Sequence, residues 1–134
     1  MASGFSTTVR NAILTARFKT AAPVYGACCD GDPSDAGDMS NQEIAASYDY
    51  ARTAAVFNSD ASSGSIANTT ALEFPAANGG NWGTISHLAI CSGDTELADD
   101  MIASGSLTTS KTIEDGDQLV FAISAITISI AAQA

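Results

Sequence analysis

The chain has 134 residues, enough for one core of ordinary size, and 46% of them are hydrophobic, which argues against disorder. Its formal charge of −10 sets 15 acids against five Lys and Arg, so the body of the protein repels nucleic acid and anionic membrane. No apolar run is long enough to cross a bilayer, and the N-terminal stretch lacks the uninterrupted apolar segment of a secretion signal, so the expectation is an unprocessed protein made in the cytosol.

Charge is unevenly placed. Arg10, Arg17 and Lys19 precede every acid, whereas only Arg52 and Lys111 accompany the acids that follow. The same basic stretch holds the one convincing helical pattern, from Ser6 to Phe18. Ser6 suits an N-cap, and Val9, Ile13 and Phe18 recur with Ala12 and Ala16 at spacings of three to four. Arg17 and Lys19 fall in the last turn, where cations suit the helix dipole, and Pro23 closes the segment. So short a helix must pack on something. Val9, Arg10, Ile13, Arg17, Phe18 and Lys19 are therefore the candidate interface, towards an acidic partner or a neighbouring copy.

After Pro23 the pattern turns to strands. Val24 to Cys29 reads as the first, followed by a loop from Asp30 to Asp38 dense in turn formers. Glu43 to Tyr48 is ambiguous between helix and strand. Further strands are expected over Tyr50 to Phe57, around Ile66, over Ala71 to Phe74, Thr84 to Cys91, Met101 to Leu107, Gln118 to Ile123 and Ala125 to Ile130. Glu96 to Ala103 reads alternatively as one helical turn. Glu114-Asp-Gly116-Asp117 is a turn signal, and the alternation from Ile126 to Ile130 points the isoleucines to one face and Thr127 and Ser129 to the other. The expected inward set is Val56, Phe57, Leu72, Phe74, Leu88, Ile90, Leu119, Phe121, Ile126 and Ile128. Short strands at this spacing predict an all-β fold, an antiparallel β-sandwich or jelly-roll-like barrel with a short N-terminal helix or arm. The predicted division is residues 1–22 as helix or arm and 23–134 as the β-sandwich domain.

Chemistry is sparse. His87 is the sole histidine and has no nucleophile context around it, so it reads as a packed or hydrogen-bonded strand residue. Cys28, Cys29 and Cys91 are an odd set, and adjacent strand residues face opposite ways, so they read as small buried hydrophobes. Asp32, Asp38 and Glu43 sit at the first, seventh and twelfth positions of a calcium-loop spacing. Ala36 stands where an oxygen ligand is needed and Pro33 is atypical, so a solvated acidic loop is favoured over a calcium site between subunits. Asp99 with Asp100, and Glu114 with Asp115 and Asp117, are paired carboxylates of the kind glycoside hydrolysis uses, but both groups fall in turns with few aromatics to line a cleft. Trp82, after Gly79-Gly80-Asn81, is a candidate for stacking on a sugar ring, with capping of the core as the alternative. No enzyme activity and no cofactor are expected.

Four segments in order carry a resemblance: Trp82-Gly-Thr-Ile-Ser-His87, Leu107-Thr-Thr-Ser-Lys-Thr112, Gly116-Asp-Gln-Leu119 and Ile126-Thr-Ile128. They are similar to a strand, a turn, a strand start and a closing strand of the small bacteriophage virion proteins often labelled tail-fibre-like. Asp32-Pro-Ser-Asp-Ala-Gly37, Tyr50-Ala-Arg52 and Asn68-Thr-Thr-Ala-Leu-Glu-Phe-Pro75 extend the likeness from about Tyr25 to Ile130. The resemblance implies a structural protein of the virion. A fibre that reaches a receptor needs a coiled coil or repeats, and neither is present, so the expectation is a capsid decoration or cement protein on the outside of the head. It would be a homotrimer that binds the major capsid protein or another virion protein, since capsid surfaces offer local three-fold sites. The alternatives are a tail-associated appendage or fibre-like adaptor, and a carbohydrate-binding module for host recognition.

Overall fold

The computed structural model describes residues 4–21 and 23–132. Its elements are predominantly antiparallel strands with one short N-terminal helix, so the all-β expectation is met. The chain divides into two compact units that are interleaved in sequence. One comprises the chain up to Pro23, Ala55–Leu72 and the chain from Phe121; the other comprises Val24–Ala54 and Glu73–Val120. The N-terminal helix thus folds together with later parts of the sequence.

In the first unit, helix α1 (Thr7–Leu14) starts where Ser6 accepts a hydrogen bond from the Val9 amide at 3.3 Å, as a capping serine should. It runs on as a π-helical segment over Thr15–Thr20, whose last turn closes with the Ala21 amide donating to the Ala16 carbonyl at 2.9 Å. Ala21 is extended and Pro23 follows, so the helix stops where the sequence says it must.

The buried helix face is one residue out of phase with the expected stripe. Arg10, Leu14 and Phe18 turn inward, while Val9 and Ile13 stay 42% and 40% exposed. The reason is Arg10, whose guanidinium donates to the Ile130 carbonyl at 3.0 Å and to Thr7 Oγ1 at 2.9 Å. That anchor rotates Leu14 and Phe18 into the core, and Phe18 meets Phe57 with ring centroids 5.4 Å apart. Gly64 lies against the Arg10 guanidinium with φ of +75°, so a β-carbon there would collide with it. The helix is further tied down where Asn11 accepts from the Gly64 amide at 2.8 Å and Thr15 from the Ala61 amide at 2.9 Å.

Beneath the helix, β3 (Ser65–Ala67) pairs antiparallel with β8 (Thr127–Ser129), Ile66 opposite Ile128. Ile126 is buried, and Thr127 and Ser129 are exposed, as the alternation predicts. The short strand around Ile66 is found, whereas β8 is shorter than the expected Ala125 to Ile130. Asn68 explains this. Its amide takes over from the ladder, donating to the Thr70 and Ala122 carbonyls at 2.9 and 3.0 Å and accepting from the Ile126 amide at 2.9 Å.

The second unit carries a four-stranded sheet in the order β2 (Thr53–Ala55), β1 (Val24–Cys29), β5 (Gly83–Cys91) and β6 (Met101–Ile113). β1 (Val24–Cys29) and β5 (Gly83–Cys91) match the expected strands closely and pair antiparallel, with Ala27 opposite Ala89. Burial on both faces of β1 suits its small residues, and Ala27, Cys29, Ala89 and Cys91 pack with Met39 on one of them. β2 is only Thr53–Ala55, not the whole stretch from Tyr50 to Phe57.

β6 runs from Met101 to Ile113 and is the largest departure. The Leu107-Thr-Thr-Ser-Lys-Thr112 stretch, expected as a turn, lies inside this strand. Its turn-like character survives as a bulge: Ile85 faces Lys111 and His87 faces Ser106, so Leu107 to Ser110 stand opposite Ser86 alone. β-branched threonine favours the extended form, and Thr84 and Thr112 pair their hydroxyls at 3.1 Å across the ladder. The helical alternative over Glu96 to Ala103 is not formed; Met101 to Ala103 are strand.

Short strands β4 (Leu72–Glu73) and β7 (Val120–Phe121) form a further two-stranded pair. Between β6 and β7, the Glu114–Asp117 turn closes with the Asp117 amide on the Glu114 carbonyl at 2.9 Å. Of the expected inward set, Phe57, Leu72, Phe74, Leu88, Ile90, Leu119 and Ile126 are buried. Phe121 and Ile128 are half-buried, and Val56 is exposed because Ala55 and Phe57 on either side of it take the inward positions.

Candidate functional site

The ambiguous segment after the acidic loop turns out to build the largest polar constellation in the protein. A single helical turn, α2 (Met39–Gln42), buries Met39 and delivers Glu43 beside β1, where it forms an isolated bridge with Cys29. The chain then turns at Ala45–Asp49 and returns with Tyr50 and Arg52 pointing inward. Glu43 and Arg52 meet with both side chains completely buried. Arg52 Nη2 lies 2.8 Å from Glu43 Oε1 and Nε 3.0 Å from Oε2, a two-pronged contact.

The remaining donors and acceptors are also used. Arg52 donates to Asp100 at 2.7 Å and to the Gly93 and Ala98 carbonyls at 3.0 and 2.9 Å. Glu43 accepts from Tyr50 at 2.6 Å and from the Leu97 amide at 2.7 Å. Tyr50 in turn accepts from the Cys28 amide at 3.0 Å. Burial would lower the affinity of Arg52 for its proton, but the bonds to Glu43 and Asp100 outweigh it and hold the guanidinium above its ordinary value. Tyr50 is pushed up by burial first and then by its acidic neighbours. With the Glu43 and Arg52 side chains fully buried and every Arg52 donor matched, this constellation binds the chain to itself.

The other acids are dispersed among turns. Asp32 caps the Ser34 amide at 2.8 Å. Asp38 bonds Asn41 and Ser40, and these bonds, Asn41's foremost, hold its carboxyl below the usual range. Glu43 belongs to Arg52. Asp32, Asp38 and Glu43 thus have separate partners, and among the described residues no group of three or more His, Cys, Asp or Glu is placed to hold a metal ion. Asp99 accepts from the Ser40 amide at 2.9 Å while its neighbour Asp100 serves Arg52. Asp115 and Asp117 cap the Gly79 and Glu114 amides, both at 2.9 Å.

His87 is half-buried with its Nδ1 2.8 Å from the Ser86 hydroxyl. All three cysteines are free thiols and buried. Burial pushes Cys29 and Cys91 up to about 12, and Cys28 rises well above its ordinary value for the same reason, so none is a ready nucleophile.

Trp82, considered above for stacking on a sugar, is only 9% exposed. Its indole N–H donates to the Tyr48 carbonyl at 3.0 Å and its ring meets Tyr50 edge-on at 5.2 Å. It caps an aromatic group that also includes Phe74, 6.4 Å from Tyr50. The capping alternative is the one found.

Of the candidate interface residues, Arg10 and Phe18 are consumed inside the first unit. Lys19 pairs with Asp60 at 2.8 Å and Arg17 is half-buried. Val9 and Ile13 remain open on α1, and Phe5, just ahead of the helix, is 52% exposed. Sequence reasoning missed Phe5 and misjudged Arg10. It also missed Arg52 and Asn68 as organising residues, although a lone arginine amid apolar positions in so acidic a chain was a readable signal.

No described helix is long and apolar enough to cross a membrane. Comparison with curated proteins finds no match. A family model described as Podophage GP4 fiber I protein gp80 matches residues 4–129, nearly the whole length, and the chain belongs to this bacteriophage fibre family.

Proposed function

We propose that the protein is a non-catalytic structural subunit on the outside of the virion, working in several copies and joined to its neighbours through helix α1. The observation that carries this reading is the open apolar stripe of Val9 and Ile13, one turn apart on α1, with Phe5 also open just ahead of the helix. Leaving such a stripe in water is costly, and covering it against a second copy or another virion protein recovers that cost. A trimer is the assembly that suits both a fibre base and the local three-fold positions of a capsid. Arg17 and Lys19 flank the stripe and favour an acidic neighbour, which the rest of this chain would itself provide.

Two placements compete. The family description favours a component of the fibre apparatus, either the fibre itself or an adaptor at its base. The absence of heptads or repeats in the sequence favours a decoration or cement protein clamped on the head. Imaging virions with the protein labelled decides between them: hundreds of copies over the head support cement, and a few dozen or fewer at the tail support the fibre apparatus. The shared part of the reading is tested with Val9→Ser and Ile13→Ser together. Loss of self-association and of virion incorporation, with the fold retained, is the expected result; unchanged assembly and incorporation would overturn it.

A further inference from the structure

The first unit contains a second feature that the structural role leaves unused. Between the turn that precedes β3 and the segment leading into β8 lies an open groove of about 480 Å³. Ser59, Ser62, Ser124 and Thr127 line it, and their hydroxyls make no hydrogen bond among the described residues. Each can both donate and accept. Asp60 adds a carboxylate whose charge is offset by Lys19 at 2.8 Å on one oxygen, leaving the other oxygen without a protein partner. The one large apolar side chain at the surface is Ile123, 62% exposed, beside the buried Ile66.

From this lining we infer that the groove is a binding site for a neutral saccharide. A sugar ring carries hydroxyls around its edge and patches of C–H on its faces, which fits a rim of hydroxyls with one aliphatic residue. Other classes fit worse. An apolar ligand would strip water from the hydroxyls and give nothing back. A phosphate or sulfate would meet Asp60, and no Lys or Arg is among the residues that line the groove. The walls are also fixed before any ligand arrives. Asn68 holds both of them, bonding the Thr70 and Ala122 carbonyls and the Ile126 amide through its side chain. Through its main chain it bonds the Ser124 amide and the Ile126 carbonyl, at 3.0 and 3.1 Å. Little ordering is therefore left to be done on binding.

The site is weak taken singly. Trading water for sugar hydroxyls is nearly neutral, so the gain comes mainly from covering Ile123, and a dissociation constant of about 1 mM is the expected scale. Several copies on one particle would raise the avidity by about 10²–10⁴. Trp82 is not among the lining residues, and the site does not depend on whether the protein sits on head or fibre.

The test is an amide-resolved NMR titration of the full chain with glucose, galactose, mannose and N-acetylglucosamine, each taken to about ten times that constant. At least one sugar should shift, saturably, amides within 59–69 and 123–127. Ile123→Arg should weaken that sugar at least tenfold, and Thr127→Ala about threefold, with the remaining spectrum unchanged because both residues are exposed. Absence of saturable shifts with all four sugars, shifts confined to other regions, or an affinity untouched by Ile123→Arg would each overturn the site. Virion labelling reads location alone, so failure here leaves the structural role standing.

Discussion

The two units solve the burial of polar groups in different ways. In the second, a charged pair lies at the centre, and every donor of Arg52 and both oxygens of Glu43 are matched by a partner. In the first, the organising residue is the neutral amide of Asn68, and the buried cation, Arg10, keeps one nitrogen (Nε) without a partner. The surfaces differ in parallel. Phe5, Val9, Ile13, Val56 and Ile123, most of the exposed large apolar residues, belong to the first unit. A charged network demands that everything around it be closed and exact in geometry, which suits a scaffold. A neutral hub and short ladders tolerate open faces, which suits the unit that we propose meets other molecules.

The contrast breaks most sharply at Glu43. Replacing it with Ala removes the two-pronged partner of Arg52 and leaves the buried guanidinium only Asp100 at 2.7 Å, and urea denaturation should show a loss of about 3 kcal/mol. Replacing both residues with Leu and Met should cost less than Glu43→Ala alone; a larger loss in the double variant would refute the view that the stranded charge is what hurts. The neutral hub should be cheaper. Asn68→Ala leaves the Ile126 amide and two carbonyls without their partner, and about 1–3 kcal/mol should be lost by the same measurement.

Alkali should discriminate the units in another way. Cys29 and Cys91 are held at about 12 against an ordinary 9.0, chiefly by burial, and both lie in the second unit. The unfolded chain therefore releases these protons before the folded one can. Stability from this source is intact below pH 9 and falls as pH rises from 9 towards 12, by about 1.4 kcal/mol per pH unit for each thiol. Urea midpoints at pH 8 and 10 check the slope, and no fall in stability would show that burial does not raise these thiols.

Two smaller effects sharpen the picture of the first unit. Ser6→Ala removes the helix cap and should cost about 0.5–1 kcal/mol, visible as a lowered melting temperature. Val9→Ser with Ile13→Ser should change the stability of the isolated chain by no more than about 0.5 kcal/mol, because both residues already face water. A large destabilisation there would mean that the stripe is part of the core and not an interface.

Much of this was legible in the residues. The capped helix, β1, β5, the Glu114–Asp117 turn, the alternation from Ile126 to Ile130 and most of the core follow from local pattern: period, caps and turn formers act within a few residues of one another. The segments resembling phage virion proteins pointed to the class of protein that the family match then supplied. What stayed hidden were the long-range polar commitments. Arg10 chooses Ile130, 120 positions away, and so sets which helix face is buried. Glu43 and Arg52 choose each other and the Leu97–Asp100 loop, turning a suspected metal ligand into half of an ion pair. Local pattern counts apolar positions, and it cannot say which of several polar residues will find partners once the chain has closed. Only the tertiary structure settles that, because a buried donor is stable solely where distant segments bring its acceptor to within about 3 Å.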